Sequence, residues 1–70
     1  MLKSIVMNQI YNSIKNTVDR SYYESLTLNR DSYNENLMNE LKNKFDSSGY
    51  VTQIIIEQKR IVICVALQRQ

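Results

Sequence analysis

Residues Ser47 to Leu67 read SSGYVTQIIIEQKRIVICVAL, and this stretch decides the fold. Gly49 is the only glycine in the chain and proline is absent, so it is the one strong punctuation mark. Before it the apolar residues recur with a helical period. After it they form two β-branched runs, Tyr50 to Glu57 and Ile61 to Leu67, around a polar Gln58-Lys59-Arg60. Two such runs this close together predict an antiparallel hairpin, with strands over about 50–57 and 60–68. The turn has neither Asn-Gly nor any glycine, which disfavours a tight primed turn and favours a four-residue connection over Glu57 to Arg60.

Working back from Gly49, Leu37, Met38, Leu41 and Phe45 line one face of a helix, with Tyr33 before them. Ser32 and Glu35 have capping-box spacing, so this helix is expected over about 32–46, with Gly49 as the left-handed residue beyond its end. Glu40 and Lys44 stand four residues apart on its polar side. The segment Leu26 to Arg30 breaks the pattern. Ahead of it, Met7, Ile10, Tyr11, Ile14, Val18 and Tyr22 share a stripe about 120° wide, which predicts a first helix over about 2–25. Leu2 and Ile5 project to its other side and are candidates for a subunit contact. The expected architecture is therefore α+β, two helices followed by a two-stranded hairpin, in a single domain.

Seventy residues are too few for a second domain, and a core this small supplies only about 3–5 kcal/mol without a disulfide, a metal or a partner. One cysteine cannot form an internal disulfide. The chain has no histidine, so structural zinc, Ser-His-Asp, Cys-His and HExxH chemistry are all removed. A partner subunit is the remaining support. The second strand asks for one too. Ile61, Ile63, Val65 and Leu67 lie on one face and Val62, Cys64 and Ala66 on the other, the pattern of a strand buried on both sides. A two-fold partner that pairs with the sheet edge or packs on its free face answers both needs, and Ile61, Val62, Ile63, Cys64 and Val65 are the expected interface. The alternative is a monomer with one helix on each face of the hairpin.

No residue pattern points to catalysis. Cys64 sits mid-strand without a neighbouring cation to lower its pKa, and reads as a buried structural thiol. The seven carboxylates show neither paired nor metal-loop spacing, and one glycine cannot build a phosphate loop. No cofactor and no metal are expected. The net charge of +2 gives no electrostatic reason to bind nucleic acid or membrane. The start of the chain does not read as a signal peptide, because Asn8 and Gln9 interrupt its apolar run, and no stretch is long enough to span a bilayer. With a free Cys64, the expectation is a cytoplasmic location.

The basic residues are scattered as Arg20, Arg30, Lys42, Lys44, Lys59, Arg60 and Arg69 and diluted by Asn, Glu and Asp. Thr27-Leu28-Asn29-Arg30 has no glycine to turn a helix-turn-helix. Of the five tyrosines, Tyr11, Tyr22 and Tyr33 have core positions, while Tyr23 lies beside the stripe near Arg20. Tyr23, Arg20, Lys59 and Arg60 are the candidates for a partner contact.

Leu37, Leu41 and Phe45, then Gly49-Tyr50-Val51, Ile54 to Ile56 and Ile61 to Val65, resemble a pattern in small phage accessory proteins: a short amphipathic helix running through Gly-Tyr into an apolar hairpin. The resemblance covers about half the chain and carries no functional residue. It implies a phage or mobile-element accessory protein. The expected function is a non-enzymatic interaction protein that forms a homo-oligomer, a dimer first, and binds and modulates or inhibits a macromolecule. A structural part of a larger assembly such as a virion, or a weak nucleic-acid binder using Lys42, Lys44, Lys59 and Arg60, are the alternatives.

Overall fold

The structure, a computed structural model, describes the backbone of residues 2–68 and the side chains from Ile5 onward. Helix α1 (Leu2–Ser21) is followed by strand β1 (Tyr23–Asn29) and a single 3-10 turn (Arg30–Ser32). Helix α2 (Glu35–Ser47) and strands β2 (Tyr50–Ile56) and β3 (Arg60–Leu67) complete the chain. The α+β class is as expected, but the sheet has three strands rather than two. Their order is β1-β3-β2, with β3 antiparallel to both neighbours.

The extra strand comes from the segment that breaks the helical stripe. Helix α1 stops at Ser21, not Ser25, because Tyr22 swings into the left-handed region at φ 70°. Its N–H still donates to the Val18 carbonyl at 2.7 Å, while its own carbonyl accepts from Leu67 N–H at 3.0 Å. Tyr22 is therefore an exposed hinge into the sheet, not a member of the core stripe. Beyond it the side chains alternate. Glu24, Leu26 and Leu28 turn toward the helices and are half-buried, whereas Tyr23, Ser25 and Thr27 face the other way and are exposed. Pairing with β3 converts this short period-two pattern into a strand.

Helix α2 also starts later than its capping-box reading. Asn34 is the cap, its Oδ1 accepting from Leu37 N–H at 2.8 Å, and Ser32 belongs to the 3-10 turn. Asn and Ser are comparable N-caps, so the choice falls to position: Ser32 is used in the 3-10 turn, and Asn34 stands directly before the first helical residue. At the other end Gly49 takes φ 93°, where an L-residue would be strained.

The hairpin closes where Glu57 N–H donates to the Arg60 carbonyl at 2.8 Å, leaving Gln58-Lys59 at the tip. Among the described residues only Tyr22 and Gly49 have positive φ, so the tip is not a type I′ turn. Arg30 shapes it from outside. Its N–H donates to the Lys59 carbonyl at 3.2 Å and its Nη1 to the Glu57 carbonyl at 2.9 Å.

Both helices cover the same face of the sheet, so neither the one-helix-per-face monomer nor full burial of β3 on both sides holds. Ile10, Ile14 and Val18 of α1 and Leu37, Met38, Leu41 and Phe45 of α2 meet Tyr50, Ile61, Ile63 and Val65 in one core. Phe45 lies at its centre, 4.6 Å from the Tyr11 ring and 5.6 Å, edge-on, from that of Tyr50. The two tyrosines carry their hydroxyls to the rim. Tyr11 donates to Ser48 Oγ at 3.0 Å and Tyr50 to Asp19 Oδ1 at 2.7 Å, with Lys15 Nζ 2.9 Å from Asp19 Oδ2. These bonds, from Tyr50 first and Lys15 second, hold the Asp19 carboxyl below its ordinary value. Burial, and then the bond to Asp19, push the Tyr50 phenol up.

Among the described residues one buried side-chain polar atom is left without a partner: the hydroxyl of Thr52, 7% exposed on the helix-covered face of β2. An unpaired buried hydroxyl costs about 1–3 kcal/mol. Thr52→Val keeps the shape and removes the hydroxyl, so it should stabilise the chain by about 1 kcal/mol, a rise of roughly 4–8 °C in Tm for a domain of this size. A lower Tm by thermal circular dichroism would show that this hydroxyl has a partner.

Candidate functional site: the open face of the sheet

The face turned away from the helices is a grid three strands wide. The register sets Tyr23, Ala66 and Val51 in one row, Ser25, Cys64 and Gln53 in the next, and Thr27, Val62 and Ile55 in the third. None of the nine is charged, although 23% of the chain is. The centre is built of small or half-buried side chains on β3, and the large ones stand at its margins. Tyr23 is 54% exposed, Val51 55% and Ile55 41%. The exposed β-branched residues Val51 and Ile55 on this one face of β2 follow from its composition, Tyr-Val-Thr-Gln-Ile-Ile-Ile, which has apolar residues to spare after the other face is covered.

Between the margin and the centre lies a shallow cleft of about 140 Å³, lined by Tyr23, Val51, Gln53, Cys64, Val65 and Ala66. Its polar groups are few. Cys64 Sγ is 3.8 Å from Ser25 Oγ. The Tyr23 hydroxyl stands beside the same thiol, whose hydrogen bond, followed by its charge and by burial, raises the phenol above its ordinary value. That hydroxyl thus stays protonated across the physiological range and serves as a hydrogen-bonding tip on an apolar body. Such a surface suits contact with another uncharged surface more than proton transfer.

The expected interface residues separate cleanly. Ile61, Ile63 and Val65 point into the core of the single chain and are fully buried there, so they present no surface to a second copy. Val62 and Cys64 lie half-buried on the open face, where Cys64 is a surface-facing thiol and not a core one. Ile5 is 53% exposed on α1, away from the stripe. Leu2 opens α1, and its side chain lies outside the described residues.

The expected contact group is not brought together. Tyr23 pairs with Ala66 at one end of β1, while Arg60 pairs with Asn29 at the other, roughly 20 Å away at about 3.4 Å per residue. Arg20, on the last turn of α1, donates to the Asn16 carbonyl at 3.2 Å. Arg60 is paired with Glu57 and Lys42 with Asp46, and Lys44 lies 4.7 Å over the Tyr11 ring. Lys59 stands at the hairpin tip and Arg60 opens β3 beside it, whereas Lys42 and Lys44 are in the half of α2 that leads into the far end of β2. Of the open face, Tyr23, Val62 and Cys64 are among the expected contact residues, whereas Ser25, Thr27, Val51, Gln53 and Ile55 are not. Its signal was the alternation within Tyr23 to Asn29, short enough to be taken for a helix end.

No family model matches the chain, and neither a curated protein nor a solved structure does so. Among the described residues no three Cys, Asp or Glu side chains stand close enough to hold a metal, and no helix is long and apolar enough to cross a membrane.

Proposed function

We propose that this chain is a non-enzymatic interaction protein that binds a protein partner through the open face of its sheet and modulates or inhibits it. The observation that carries the reading is the uncharged grid from Tyr23 to Ile55, with three large apolar side chains exposed at its edges. Contiguous apolar patches of this kind on a small domain mark contact surfaces, and a tyrosine at the rim is a typical anchor. The partner presents an uncharged, apolar surface with a hydrogen-bonding group for the Tyr23 hydroxyl or the Gln53 amide. Nucleic acid fits less well, because the cations of Arg60, Lys42 and Lys15 are each committed to a carboxylate within the chain. The resemblance of the second half to small phage accessory proteins supports a partner in phage or host, and the free Cys64 supports a reducing, cytoplasmic setting.

A photocrosslinking residue placed at Tyr23, and separately at the exposed Asn12 of α1, tests the reading. Irradiation in a host lysate should give adducts of defined mass from position 23 and not from position 12. No adduct at 23, or the same adducts at both positions, would remove the open face as the contact surface.

A further inference from the structure

The open face ends at β2, and the outer edge of β2 is unprotected. Among the described residues β2 pairs with β3 on one side and with no strand on the other. Exposed edges are normally blunted by a lysine, a proline, a bulge or an inward charge. None of these occurs in Tyr50-Val51-Thr52-Gln53-Ile54-Ile55-Ile56, whose pairing with β3 runs unbroken from Tyr50 to Ile56. The other edge strand differs. β1 carries Glu24, and the 3-10 turn with Arg30 follows it directly.

We infer that the β2 edge pairs antiparallel with the β2 edge of a second copy of this chain, about a two-fold axis at Gln53. The length, exposure and chemistry of the strand select that occupant and that register. The strand has seven residues and Gln53 is the fourth, so a two-fold axis there uses the whole edge. About this axis Val51 stands opposite Ile55 of the partner subunit on the open face, and each is exposed in the single chain, 55% and 41%. On the helix-covered face Tyr50 stands opposite Ile56 of the partner subunit, and Thr52 opposite Ile54 of the partner subunit. Gln53 meets its own copy, and an amide is a side chain that can both donate to and accept from itself. No charge lies anywhere on the strand to repel its copy, the usual obstacle to an isologous contact.

The result is a continuous six-stranded sheet in the order β1-β3-β2-β2-β3-β1, with four helices on one side. Its open face is double that of one chain, and the two Val51–Ile55 pairs fill the middle. The inference concerns the strand edge and does not rest on the proposed partner of the open face: photocrosslinking from Tyr23 can fail while the edge still pairs, and the reverse.

The test uses disulfide trapping in a Cys64→Ser background. Cross-strand neighbours lie about 4.5–5.5 Å apart between Cα atoms, within disulfide range. Gln53→Cys should therefore oxidise to a covalent dimer at micromolar protein. Val51→Cys alone, facing Ile55 of the partner subunit, should do so at least tenfold more slowly. The double variant Val51→Cys with Ile55→Cys should restore the fast rate, since the two positions are too far apart on one strand to react with each other. Sedimentation equilibrium of the unmodified chain should give twice 8.3 kDa, and Gln53→Lys, which sets two like charges on the axis, should weaken the dimer at least tenfold while leaving the circular dichroism unchanged. A monomer throughout the micromolar range overturns the inference. So does fast trapping at Val51→Cys alone, which would mean another register, or a dimer trapped by the native Cys64 with none from Gln53→Cys, which would mean packing face to face.

Discussion

Phe45→Ala should leave the chain without a cooperative unfolding transition at 25 °C. Phe45 is fully buried and its ring packs on both rim tyrosines, Tyr11 at 4.6 Å and Tyr50 at 5.6 Å between ring centroids. Truncation of a buried phenylalanine costs about 3–5 kcal/mol, and the whole stability of a domain this size is about 3–5 kcal/mol. Loss of the ring also frees Tyr11 and Tyr50, whose hydrogen bonds to Ser48 and Asp19 tie α1 to the start of β2. Phe45→Leu, which fills most of the space, should keep a cooperative transition about 1–2 kcal/mol weaker. Urea titration followed by circular dichroism measures both. A Phe45→Ala variant that unfolds cooperatively within about 1 kcal/mol of the parent would mean that the three aromatic rings do not act as a unit.

The second large effect is a contrast between adjacent residues. Ile63→Lys should abolish folding, whereas Val62→Lys should be tolerated. Ile63 is fully buried at the middle of β3 between Leu26 and Ile54, under both helices. An ammonium there has no partner and no water, a change in the class that exceeds about 4–5 kcal/mol. Val62 is half-buried on the open face between Thr27 and Ile55, where a lysine can run its stem along the sheet and keep its charge in solvent. Amide NMR spectra should be dispersed for Val62→Lys and collapsed for Ile63→Lys. Equal outcomes for the two would show that β3 does not alternate between a covered and an open face.

Much of this fold is legible in the amino-acid order because the signals are local. Gly49 marks the end of α2, Leu37 to Phe45 mark its buried face, and the two β-branched runs mark β2 and β3 within a residue of their bounds. The part that is not legible is decided at a distance. Tyr22 extends the apolar stripe of α1 by one more turn, so period alone keeps it in the helix. It leaves because β3 needs a second strand, and the Leu67 N–H finds the Tyr22 carbonyl. Nothing near Tyr22 encodes that bond. The same holds for the central place of β3: apolarity on both of its faces reflects a strand with neighbours on either side, not a second covering layer. As for the candidate site, its grid depends on the lateral order β1-β3-β2, which sets Tyr23 beside Ala66 and Val51 although the three are far apart in the chain. Tyr23 could be singled out from its position off the stripe. Val51, Gln53 and Ile55 could not, since in a two-stranded hairpin either face of that strand could have been the buried one.

The order β1-β3-β2 also has a consequence for biosynthesis. The strand in the middle is the last of the three to leave the ribosome, so β1 and β2 have no partner until β3 has been made. Translation from Asn29 to Leu67 takes about 2–8 s at roughly 5–20 residues per second. Through that interval α1 has no completed sheet to cover, α2 joins it in that state once made, and β2 in its turn has no strand partner until β3 follows. The nascent chain therefore spends seconds as an apolar, unpaired species and then completes its sheet in one late, non-local step. Its demand on holdase chaperones falls in that window, and synonymous changes that slow decoding between Asn29 and Leu67 lengthen it without altering a single residue of the finished protein.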